Sequence, residues 1–262
     1  MKKNGVSWGI ASLCLLTTLG VLVASYDGIG QQVTPTQSTS AKRLPVKGQK
    51  KNFPAVEYPS DQLIPDEARR TKSKKYDKYI VLNPNIVEDS EEISFGHWLK
   101  STNALPIIDS DFVAVGTLID AKAFLSEKKT SVYSEFKIEI EKVFKGSDAL
   151  IENKKFVRAE REGGIVLFPQ GVKTWYHVSG QGMPSVGGRY LFFLTHDFPQ
   201  YGRQSKDLFL LTAYFLQEGK VQPLDSADGG THPTATHYLD ASEAKLLSDV
   251  EGVVKNRIRV PQ

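Results

Sequence analysis

Residues 131–146, "SVYSEFKIEIEKVFKG", alternate with a period of two. Val132, Phe136, Ile138 and Ile140 share one parity, while Lys137, Glu139 and Glu141 share the other. Successive side chains of a strand point to opposite faces. The pattern therefore predicts a half-buried strand with Phe136, Ile138 and Ile140 in a core and the charged set in water. The preceding stretch, "DFVAVGTLIDAKAFL" from Asp111, is apolar on both parities. That predicts a strand covered on both faces or bent through a barrel wall. Gly116 within it marks a bulge or a close approach. "KKFVRAEREGG" predicts a third strand, closing on Gly163 and Gly164. "IVLFPQGVKTWYHVSG" predicts a hairpin turning at Pro169–Gln170–Gly171, and "VGGRYLFFLTHD" a hydrophobic strand entered through two glycines. "DLFLLTAYFLQEGKVQPLD" predicts a last hairpin around Glu218–Gly219. Roughly seven short strands separated by turn residues indicate an all-β core, a small barrel or sandwich, over residues 111–225.

The flanks have other periods. "SADGGTHPTATHYLD" reads as a loop, and "DASEAKLLSDVEGVVKNRI" as a helix within residues 226–262. Asp240 is its expected N-cap, with Glu243 as capping-box partner. Leu246, Leu247, Val250, Val253 and Val254 form an apolar stripe that predicts packing on the barrel. In residues 61–110, "PDEARRTKSKKYDKY" predicts a short polar helix with Asp66 and Glu67 near its start. "EEISFGHWLKS" predicts a second short helix with Ile93, Phe95, Trp98 and Leu99 on its apolar side and His97 as a packing residue. Residues 27–60, rich in Gln, Ser, Thr, Pro, Gly and Lys, read as a disordered linker that buries too little to offset its ordering entropy.

At the N-terminus, Lys2 and Lys3 precede an uncharged apolar run of 19 residues, Val6–Ala24. A basic start followed by an apolar segment predicts export. The run is long enough to span a bilayer as a helix. Residues 1–26 are therefore expected to be a transmembrane anchor with its basic end in the cytoplasm, or alternatively a signal peptide cut near Ser25. Either way the main domain is extracytoplasmic, at a bacterial inner membrane or, after cleavage, in the periplasm. Cys14 is the only cysteine and lies inside this run, preceded by Leu13. It does not form a lipoprotein signal. The exported part then has no thiol, which excludes cysteine-ligated zinc, iron–sulfur clusters and thiol nucleophiles there.

Charge narrows the partners. The net charge of +3 falls short of a dedicated nucleic-acid binder, so no nucleic-acid partner is expected. Residues 42–78 hold eleven Lys or Arg against five Asp or Glu. This reads first as a solvated spacer and second as a contact for anionic lipid or cell-wall polymer.

The order "VAVGTLID…SEFKIEIEKVFKG…VGGRYLFFL" resembles the oligonucleotide/oligosaccharide-binding (OB) barrel of netrin-like and metalloproteinase-inhibitor modules, over residues 111–225. The whole arrangement also looks like uncharacterised exported bacterial proteins. The resemblance implies an OB-like fold. The protease-inhibiting wedge of that family depends on cysteines this domain lacks, so it does not carry over.

Catalytic motifs are missing: there is no HExxH, GxSxG, P-loop or dinucleotide glycine fingerprint. His232 and His237 in a loop near Asp228 fall short of the three or four ligands a metal needs. No metal or cofactor is expected. "RAEREGG" sets Arg158, Glu160 and Glu162 on one strand parity with Arg161 opposite, and "VKTWYHVSG" puts Trp175 and Tyr176 on a hairpin. Charged groups for orientation and aromatic rings for area suit a carbohydrate or an extended peptide. Arg158, Glu160, Arg161, Glu162, Trp175 and Tyr176 are thus the candidate ligand-binding residues. The expected function is a membrane-tethered, non-enzymatic β-barrel module that binds a protein or glycan partner. The alternatives are an envelope hydrolase using carboxylates or a metal, with a polar pocket near Glu160, Glu162 or His177, and a structural envelope assembly component.

Overall fold

The structure is a computed structural model that describes residues 53–58, 67–78, 82, 92–97, 103–198, 203–225 and 236–258. The export segment and most of the linker lie outside the described residues, as do Trp98, Asp228 and His232. No helix among the described residues is long and apolar enough to cross a membrane.

Five strands close into a barrel. They are β3 (Phe112–Leu125), β4 (Val132–Lys145), β5 (Phe156–Glu162), β8 (Arg189–Phe198) and β9 (Arg203–Gln217). β3 pairs with β4, β4 with β5, and β8 with both β3 and β9, all antiparallel. β5 and β9 complete the ring through a short parallel pairing, Ala159 with Leu208 and Glu160 with Phe209. Taken in chain order as strands one to five, the cycle runs one-two-three-five-four. This closed five-stranded barrel is consistent with an OB-like fold. β5–β9 is the one parallel pair in the ring. β10 (Lys220–Pro223) hangs on β9 through the hairpin predicted at Glu218–Gly219.

The opening stretch behaves as its alternation predicts. Phe136 and Ile138 are buried in the barrel interior with Ala114, Leu118, Val157, Phe192 and Leu210, and Ile140 packs against them half-buried. Lys137 and Glu139 are partly exposed and Glu141 is exposed. β3 is covered on both sides. Val113 and Val115 face outward into a second core with Leu191, Phe193, Leu211 and Tyr214, closed by Leu246 and Val250 of α2 (Glu243–Ile258). The predicted C-terminal helix therefore packs on the barrel. Its cap is Ser242 rather than Asp240: the Lys245 amide donates to Ser242 Oγ at 3.3 Å. Asp240 has φ 59° and its amide binds Val221. Glu243 pairs with Arg189 instead of closing a capping box.

Gly116 is a close approach. A Cβ there would lie 2.5 Å from the Glu139 carbonyl oxygen, and the β3–β4 register slips between Val115 and Gly116.

Three expectations need correction. The hairpin of β6 (Gly164–Leu167) and β7 (Lys173–Ser179) does turn at residues 169–171, but outside the barrel. It forms a four-stranded sheet with two strands from the N-terminal region, β1 (Ala55–Glu57) and β2 (Glu92–His97), in the order β1-β6-β7-β2. Gly163, at φ +110°, redirects the chain out of β5; a Cβ there would meet the Tyr176 carbonyl at 2.8 Å. Second, β2 (Glu92–His97) is a strand paired parallel with β7, not a helix. A short apolar run fits either period, and the open edge of β7 decides it. Third, the linker ends early. Phe53 and Val56 are buried, and β1 (Ala55–Glu57) pairs with β6.

Candidate functional site

The predicted polar helix is α1 (Glu67–Lys74). Only Ser73 of its residues is buried, so apolar area does not hold it in place. Its charges do. Arg69, Lys72, Lys75 and Lys78 recur every third residue and face a row of carboxylates on the outer wall of β4, β5 and β9. Arg69 binds Glu135 and lies 4.0 Å over the Phe124 ring. Lys72 reaches Glu135 at 3.0 Å and both Glu160 and Asp207 at 3.7 Å. Lys75 binds Glu160 and, at 2.8 Å, Asp207, while Lys78 binds Glu162. Beneath these pairs lies an aromatic floor. Tyr76 stacks on Tyr133 with centroids 4.1 Å apart and planes 8° from parallel, and Lys75 sits 4.6 Å over Phe209.

This packing sets the protonation. Loss of hydration dominates at Glu160, which is 1% exposed, and outweighs the attraction of Lys75 and Lys72; the charge of Asp207 adds to it. The carboxyl is pushed up to about 7. At Asp207 burial acts in the same sense, but the hydrogen bond and charge of Lys75 hold its carboxyl below the usual range. Burial also opposes the charge on Lys72, yet Glu160, Glu135 and Asp207 together raise its pKa.

Beside α1 opens a groove of about 570 Å³. Arg69 and Lys72 line its α1 side; Glu135 and Lys137 of β4 and Arg158 and Glu160 of β5 line its wall. Asp120, Lys122, Glu152 and Asp207 complete the charged lining, and Phe124, Leu150, Ala159 and Leu208 supply apolar surface. Cations and carboxylates are present in equal number, five each, so the groove has no dominant sign of charge. No family model and no curated protein matches the sequence.

The candidates from sequence separate into three places. Arg158 and Glu160 lie in the groove, with Arg158 exposed and bonded to Glu152 at 2.9 and 3.1 Å. Glu162 shares their strand face and is held by Lys78. Arg161 points the other way, into the base of the barrel, with its side chain 2% exposed. There it binds both oxygens of Asp225, at 2.8 and 3.2 Å, and the backbone carbonyls of Gly182, Leu210 and Leu211. Trp175 and Tyr176 stand on β7 and do not line the groove. Trp175 packs edge-on against Phe53 at 4.7 Å, and Tyr176 is buried beside Val166 and Val172. His177 stacks on Trp175. Among the described residues no cluster of three or more His, Asp or Glu is arranged to hold a metal.

Sequence reasoning missed Glu135, Asp207, Tyr133 and the whole contribution of residues 67–78. A signal was present. Arg69 and Lys72, three apart, share one side of α1, and Lys75 and Lys78 continue the same spacing past its end.

Proposed function

We propose that this chain is a membrane-tethered, extracytoplasmic binding module, and that its protein or glycan partner lies in the groove along β4 and β5. One observation carries the reading: the groove runs on the second and third strands of the barrel, between α1 and the Lys137–Arg158–Glu152 edge. In OB barrels that face and its adjoining loops take oligosaccharides and oligonucleotides, an analogy of fold only. The carboxylates of the lining disfavour a polyanion and leave sugars or a peptide as the fitting ligands. The basic start and apolar run at residues 2–24 support tethering.

The test is a glycan and peptide array probed with the full chain and with the double variant Lys137→Ala, Arg158→Ala. Both side chains sit on the open edge, so the fold should persist and binding should drop at least tenfold. Fractionation of expressing cells should place the same chain in the membrane pellet with its barrel open to added protease. Arrays without a bound probe, or equal binding by the variant, would overturn the reading.

A hydrolase is the second reading, supported by Glu160 and Asp207. They share Lys75, while their environments push their carboxyls in opposite directions, as in an acid–base pair. Glu160 is covered by Lys72 and Lys75, so a substrate would reach it only with α1 displaced. Hydrolysis of an envelope glycan abolished by Glu160→Gln, with binding retained, would favour this reading over the first.

A further inference from the structure

Glu135, Glu160 and Asp207 belong to two features at once. All three line the groove. All three also hold residues 67–78 down, through Arg69, Lys72 and Lys75. A ligand that engages these carboxylates from the groove must break the pairs that hold the segment. We propose that residues 67–78 form an autoinhibitory strap over the inner half of the binding face, and that the ligand displacing it is a basic peptide segment. This deepens the binding-module reading and rests on it.

Four observations support the strap. Its helix is eight residues long with no apolar stripe, and a free helix of that length does not persist in water. It is therefore helical because it is docked. Besides the buried Tyr76 ring and the hydrogen bonds of Lys78 with Thr130 and Asp77 with Lys128, the docking uses ion pairs whose cations remain 13 to 29% exposed, so a competing cation can approach them. The only aromatic ring it inserts, Tyr76, lies flat on Tyr133 as a ligand ring would on a stacking platform. Finally, β1 precedes it and β2 follows it, and both pair with the second sheet rather than the barrel. Neither pairing runs through residues 67–78.

The chemistry of the strap names its competitor. It presents cations every third position and one aromatic ring to a surface of carboxylates and Phe124, Tyr133 and Phe209. A basic peptide with an aromatic side chain reproduces both contacts, whereas a neutral glycan reproduces at most the stacking.

The probe is a synthetic peptide with the sequence of residues 66–79, added in excess to the full-length protein at low salt. Hydrogen exchange across residues 67–78 of the protein should rise at least tenfold. Carbodiimide cross-links from the peptide should appear at Glu135 and Asp207 while the internal Lys75–Asp207 link fades. A peptide with its four cations at positions 69, 72, 75 and 78 changed to Gln should do neither. Unchanged exchange and no peptide cross-link at these carboxylates would show that the segment is a fixed part of the fold. A second arm uses the triple variant Lys72→Gln, Lys75→Gln, Lys78→Gln on the peptide array. It should bind basic peptides at least tenfold more tightly than wild type. If wild type binds an array ligand and the triple variant binds it no better, the strap is refuted while the binding reading stands. If neither binds any array ligand, the binding reading falls and the peptide exchange alone judges the strap. Concentration-dependent dimers in place of peptide exchange would assign the surface to a second copy and refute the proposal.

Discussion

Arg158 and Arg161 stand three residues apart on β5, and replacing each with Ala should give opposite results. Arg161 is sealed into the barrel base. Its guanidinium meets both oxygens of Asp225 and three backbone carbonyls. Asp225 also accepts from Thr212 Oγ1 at 2.6 Å and the Gly182 amide at 3.0 Å. The network ties β5, β9, the segment before β8 and the end of β10 together. Arg161→Ala takes the cation partner from the half-buried Asp225 carboxylate and a donor from three backbone carbonyls. Breaking a buried pair in this way costs about 3–5 kcal/mol. For a folded region of this size each kcal/mol lowers Tm by about 2–4 °C, so a fall of roughly 6–20 °C is expected. Arg158 is exposed and its pair with Glu152 is worth about 0–1 kcal/mol, so Arg158→Ala should melt within a few degrees of wild type. Thermal unfolding followed by circular dichroism measures both. If Arg161→Ala melts within about 2 °C of wild type, the network is not a structural lock. Arg161 would then return as a candidate for ligand contact.

Two further outcomes are expected. Ile138→Asp puts a charge into the barrel interior and should cost several kcal/mol, enough to unfold a typical domain, while Glu139→Lys on the opposite face should change stability by about 0–1 kcal/mol; equal melting temperatures would mean the strand is inverted. The Glu160 carboxyl, raised from 4.5 to about 7, stays protonated in the fold across a window where the unfolded chain has released its proton, so its contribution is greatest below pH 4.5 and declines as pH rises towards 7, by roughly 3 kcal/mol. Urea titrations of wild type and Glu160→Gln at pH 5 and pH 7.5 should therefore show wild type losing ground to the variant as pH rises, and a constant difference would mean Glu160 is ionised throughout.

Local periodicity identified the elements that bury one face or both. The β4 alternation, the doubly apolar β3 and the α2 stripe take the expected roles, except for Val253, which is exposed, because each sequence pattern reports directly on which side meets the core. Pairings over long sequence distance were not legible. Nothing in "EEISFGHWLKS" says that β7 offers it an open edge, and nothing in "GIVL" says that Gly163 turns the chain off the barrel. Trp175 and Tyr176 were read as surface aromatics because their hairpin was counted as barrel wall. Once the hairpin leaves the wall to build a second sheet, their rings become packing between layers.

The candidate site was half legible for a reason that lies in β5. A strand written Arg-Ala-Glu-Arg-Glu suggests one wet face, since alternating charge normally costs least in solvent. Here Glu160, Arg161 and Glu162 are all buried, on both faces. Burial of a charge is tolerated only with a partner, and the partners come from residues 75, 78 and 225, far away in sequence. The same three letters therefore serve two purposes. Inward, Arg161 closes the barrel with a network whose every donor is directed at a fixed acceptor. Outward, Glu160 and Glu162 meet lysines on a segment whose buried apolar hold is the Tyr76 ring. Of the two, only the outward set borders the groove, through Glu160, so a ligand in the groove would meet this strand on the side of Glu160.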